Sequence, residues 1–99
     1  MNEWRDVLRD AWLKQHPQIL NKMHAPDGDC ALGVLHLAVH GNKQQAMKCD
    51  QGVGLTGVLK ELRERFGIGT FLAYEIVKRN DKQGQDFLTI ASKAGCRDD

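Results

Sequence analysis

Apolar residues recur along this chain at helical spacing, broken by short polar or glycine-bearing stretches. Trp4, Val7, Leu8, Ala11 and Trp12 share one stripe, with Arg5, Asp6, Arg9 and Asp10 on the other side, which predicts an amphipathic helix over residues 2–15. Pro17 ends it, because a proline disfavours helical geometry in the residue before it. Pro17 then opens a short helical piece carrying Ile19, Leu20 and Met23. Ala25, Pro26, Asp27 and Gly28 make a turn, and Asp29 is placed to cap the apolar segment after it.

Residues 30–39 are apolar at every position except Gly33 and His36. Such a run fits a buried helix or a buried strand, and periodicity does not choose between them. The polar positions do. At about 100° per residue, Asp29, Gly33, His36 and His40 fall within about 60° of one another on a helix, whereas a strand splits them between both faces. Residues 29–40 are therefore expected as a nearly encircled helix with one narrow polar seam, stopped by Gly41.

Residues 42–54 are polar, glycine-bearing and aperiodic, which predicts a surface loop with at most one helical turn around Gln45. Leu55, Val58, Leu59, Leu62 and Phe66 resume a clean helical stripe closed by Gly67. Thr70 is placed to cap a further helix through Leu72, Ala73, Ile76 and Val77. Asn80, Asp81, Lys82, Gln83 and Gly84 are turn chemistry. Phe87, Leu88, Ile90, Ala91 and Ala94 make a last helix ended by Gly95, and residues 96–99 a flexible tail. The fold class is all-α, a single-domain irregular bundle of about five helices around the central helix of residues 29–40.

Composition narrows the function. The 99 residues suit one domain that buries roughly 65% of its unfolded surface. An apolar fraction of 41% and a charged fraction of 27% are those of a globular chain. Fourteen basic residues nearly cancel thirteen acidic ones, which removes the simplest reason to expect nucleic acid or an anionic membrane as partner. No apolar run approaches the ~20 residues needed to cross a bilayer. The opening MNEWRDVLRD lacks the apolar stretch of a secretory signal. Cys30, Cys49 and Cys96 are odd in number and contain no CxxC, which points to a reducing cytoplasm.

Several features invite chemistry. His36 and His40 sit four apart on one helix, the spacing that lets two imidazoles reach one metal. The metalloprotease version needs a glutamate directly after the first histidine, and here that residue is Leu37. A third ligand has to come from Asp29, His24, Cys49 or elsewhere, and nothing in the spacing demands one. The seam of Asp29, His36 and His40 is therefore expected to be scaffold, with no metal, cofactor or catalytic residue assigned. Cys30 at a helix start is a candidate for a lowered thiol pKa with His24 or His36 as base, set against its reading as a small buried hydrophobe beside Ala31, Leu32 and Val34.

The helix pair of residues 55–80 superficially resembles a helix-turn-helix with Gly67 in the turn. Arg63 stands where a small residue normally lets the helices approach, and Phe71, Tyr74 and Glu75 suit neither phosphates nor base edges. Gly52, Gly54 and Gly57 match G-x-G-x-x-G, but no strand precedes them and no acidic ribose partner follows. Trp4, Leu8 and Trp12 form a candidate interaction surface if they are not simply core. These readings lead to a non-enzymatic binding module that contacts protein or itself. A DNA-binding regulator built on residues 55–80 and a metal- or thiol-dependent enzyme around Cys30, His36 and His40 are the alternatives.

Two stretches, Cys30-Ala31-Leu32-Gly33-Val34-Leu35 and Asn80-Asp81-x-x-Gly84-x-x-Phe87-x-x-Ile90-Ala91, together resemble a loose set of small phage and bacterial proteins. The resemblance spans residues 10–92 and implies a short protein of a mobile gene pool. No activity is assigned to that set, so no functional residue carries over. It implies structural roles only: close helix approach at Gly33, a turn at residues 80–84, and Phe87, Ile90 and Ala91 packing the last helix onto the core.

Overall fold

The helix spanning Ala31–His40 sits at the centre because its first six residues, through His36, are all buried, with neighbours on nearly every side. A computed structural model describes residues 3–95. In order these form α1 (Glu3–Leu13), a two-residue antiparallel hairpin of β1 (His24–Ala25) and β2 (Gly28–Asp29), then α2 (Ala31–His40), α3 (Lys43–Phe66), α4 (Thr70–Asp81) and α5 (Phe87–Lys93). The fold is all-α among the described residues, with five helices and α1, α3 and α4 packed against α2. The expected tail at residues 96–99, with Cys96, and the expected helix start at Asn2 lie outside the described residues. No helix among the described residues is long and apolar enough to cross a membrane.

Three local expectations are corrected. Cys30, not Asp29, caps α2: its Sγ accepts the Gly33 amide at 3.4 Å. Asp29 is held one residue earlier in β2, opposite His24, and its carboxylate is turned toward side chains. The stretch after Pro17 is not helical. Ile19 N donates to Asp29 O, Asp29 N to Pro17 O and Cys30 N to Met23 O, each at 3.1 Å, so its backbone groups serve the neighbouring strand instead of a helix of their own. Gly33 is needed here, because a Cβ would collide with the Met23 carbonyl. Its close approach is thus to this extended stretch and not to a helix.

Asn80 and Asp81 belong to the last turn of α4 and not to the turn after it. The buried Asn80 Oδ1 accepts from Ala31 N at 3.0 Å and Gln18 Nε2 at 2.7 Å, and its Nδ2 donates to Ile19 O at 2.9 Å. Asn80 therefore supplies a partner to the first amide of α2 that the helix cannot satisfy internally. Thr70 is likewise inside α4, whose N-cap is Gly69 with no side-chain bond.

The largest correction is residues 42–54. Asn42 caps a helix through its side chain, 2.8 Å from Gln45 N, and α3 begins at Lys43. It breaks at Gly54 (φ 69°, ψ −171°) and continues as the expected stripe, with Val58 and Leu62 buried. Trp4 and Leu8 are packed in the core, so of the candidate surface only Trp12, 42% exposed, is available to a partner.

Candidate metal centre

The α2 seam supplies His36 and His40 on one face, the first fully buried and the second half-buried. Their rings meet edge to face, 4.7 Å between centroids. The broken α3 supplies the rest. Twelve residues separate Cys49 from Glu61, which in a straight helix is about 18 Å. The backbone turn at Gly54 instead brings Cys49 Sγ to 2.7 Å from Glu61 Oε1. One ligand atom from each of His36, His40, Cys49 and Glu61 lies within 4.8 Å of the others, and Nε2 is the nitrogen that both histidines turn to Glu61.

Two of these atoms have no hydrogen-bond partner. His36 Nε2 and His40 Nε2 are both buried and unsatisfied. His36 Nε2 is 3.8 Å from Glu61 Oε2, too far for a hydrogen bond, while His40 Nε2 lies 2.6 Å from the same oxygen, an ion-pair distance without the alignment of a hydrogen bond. A buried polar atom left without a partner costs on the order of 1–3 kcal/mol. Two such atoms aimed at the same thiol and carboxylate form an arrangement that a cation resolves.

The electrostatics favour bare imidazole over imidazolium at His36. Burial, then the charges of His40 and His24, push it down to about 4. Glu61 is raised by burial, but the Cys49 thiol and the His40 and His36 charges outweigh that and hold it below the ordinary carboxylate value. Its hydrogen bond to Glu61, followed by burial, pushes the Cys49 thiol up to about 11. Cys49 is therefore a protonated donor at neutral pH and becomes a thiolate only when something replaces its proton. Burial likewise pushes Cys30 up to about 11, the reverse of an activated nucleophile at a helix start.

Behind His36 lies a second layer. His36 Nδ1 is 3.1 Å from His24 Nε2, and His24 Nδ1 is 2.6 Å from Asp29 Oδ1. The other Asp29 oxygen is 2.7 Å from His16 Nε2 and 3.5 Å from Lys43 Nζ.

Of the seam residues named from the sequence, His36 and His40 thus come together, while Asp29 stands two side chains behind them. Among the ligands proposed to complete a pair, Cys49 joins and His24 does not. Glu61 was missed. Its only signal was an acid flanking the apolar stripe of Val58 and Leu62, and nothing local places it beside a residue twelve positions away. No family model, curated protein or solved structure matches this chain, so its own geometry carries the functional reading.

Proposed function

We propose that this domain binds one divalent transition-metal ion, Zn2+ by preference, through His36 Nε2, His40 Nε2, Cys49 Sγ and Glu61. The observation that carries this is the pair of buried imidazole nitrogens, neither making a hydrogen bond, that converge on a thiol and a carboxylate. Two nitrogens, one sulfur and one oxygen are a borderline-soft donor set, suited to zinc and not to calcium or magnesium. A thiolate and a carboxylate balance the charge of a divalent ion. Tetrahedral bonds of about 2.0–2.3 Å separate donors by about 3.3–3.8 Å, so the widest separation, up to 4.8 Å, has to close by about 1 Å while the 2.6 Å contact of His40 with Glu61 opens by a similar amount. Half-exposed His40, Cys49 and Glu61 give the ion a path from solvent.

Four protein ligands leave no open position for substrate or water, the pattern of a structural or regulatory ion and not a hydrolytic one. The domain is accordingly non-enzymatic. The test is elemental analysis of protein produced without a His tag and dialysed against trace zinc. One equivalent is expected, and protein that retains none would end the proposal.

A protein contact is a second reading, favoured by Trp12 and Leu13, 42% and 70% exposed side by side at the end of α1. Sedimentation that shows a concentration-dependent dimer, lost in Trp12→Ala, supports self-association; a monomer in both removes it.

A further inference from the structure

Resting on the metal-binding reading, we propose that His24 and Asp29 are positioning residues that hold His36 as its Nδ1–H tautomer, so that Nε2 presents a bare lone pair to the ion. A neutral imidazole has one N–H and one acceptor nitrogen, and the partner of one nitrogen decides the role of the other. The Asp29 carboxylate offers only acceptors, so the His24 Nδ1 that lies 2.6 Å from it carries the proton and donates. In the neutral His24 ring, Nε2 is then the acceptor. At 3.1 Å it accepts a hydrogen bond from His36 Nδ1–H. His36 Nε2 is left unprotonated, and this is the atom that is buried without a partner among Cys49, Glu61 and His40.

The hairpin is what makes this relay. Its register sets His24 opposite Asp29, and the reach from β1 to α2 is closed by Gly33, whose missing side chain lets the chain at Met23 lie against the helix. Both His24 and Asp29 are buried, so water does not compete for either bond. A metal-bound histidine whose second nitrogen is held in this way loses about 10–100-fold in metal affinity when the support is removed.

Asp29→Asn is the discriminating change. Lys43 Nζ, 3.5 Å from Oδ2, keeps the new amide oxygen on its own side and turns the amide nitrogen toward His24 Nδ1. That nitrogen donates, so every role along the relay reverses and the proton of His36 moves to Nε2, into the ligand cluster. Long-range 1H–15N correlation of metal-free protein labelled at histidine reads the tautomers directly. The wild type is expected to show His36 protonated at Nδ1 and bare at Nε2, Asp29→Asn the reverse, and zinc affinity about 10–100-fold weaker in the variant with an unchanged circular dichroism spectrum. Wild-type His36 protonated at Nε2 overturns the proposal even if Asp29→Asn fails to fold. An Asp29→Asn protein that flips the tautomer but binds zinc as tightly as wild type also overturns it. A wild type that shows the expected tautomer but takes up no zinc defeats the metal site itself, and with it the role assigned to the relay.

Discussion

His36 is a histidine folded into neutrality. Burial and the nearby His40 and His24 charges take it from an ordinary 6.5 down to about 4. Between those values the unfolded chain binds a proton that the folded chain refuses, so stability is full above about 6.5 and falls as pH drops toward 4. The slope from this one residue is at most about 1.4 kcal/mol per pH unit. Urea unfolding of metal-free protein at pH 7, 6 and 5 is expected to show that fall, and His36→Gln to flatten it. Equal stability of wild type at pH 7 and 5 would contradict a buried neutral His36. At this scale the sequence was partly legible: the i, i+4 spacing marked His36 and His40, and Cys49 was within the set of possible third ligands. The relay behind them was not, because His24 and Asp29 meet across a hairpin that the alternation of residues does not announce.

At the scale of elements, the site depends on a single backbone break. Gly54 adopts φ 69° and ψ −171°, a region essentially confined to glycine, while a Cβ there would meet nothing within 4 Å. Gly54→Ala is therefore a purely conformational change, expected to cost about 1–3 kcal/mol and to weaken zinc binding by drawing Cys49 away from Glu61. Gly52→Ala, also in open space but without a left-handed φ, is the control expected to do neither. Thermal unfolding and zinc titration of both variants separate these outcomes; a Gly54→Ala protein indistinguishable from Gly52→Ala would mean that the break does not build the site. Residues 43–53 gave a misleading pattern because Ala46 is their only buried residue, so no apolar stripe betrays the helix. Residues 17–23 misled for the opposite reason. Their carbonyls and amides are claimed by β2, Cys30 and Asn80, partners distant in sequence.

For the whole molecule, the five-helix reading was legible because the stripes of α1, α4, α5 and the second half of α3 each bury their apolar face as periodicity requires. The stretches beginning at Cys30 and at Asn80 meet physically, since Asn80 binds the first amide of α2 directly after Cys30. The core, which includes Val58 and Leu62 of α3, closes without a metal, and the candidate ligands lie on the flank between α2 and α3. Zinc is thus expected to secure a segment and not to fold the domain, unlike the small zinc modules that are unfolded without it. The most direct measurement is a Co2+ titration of untagged, metal-free protein followed by absorption. A tetrahedral visible spectrum with a thiolate-to-cobalt charge-transfer band, saturating at one equivalent and losing that band in Cys49→Ser, is the expected result. A spectrum that stays that of hydrated Co2+ throughout would contradict a metal centre at His36, His40, Cys49 and Glu61.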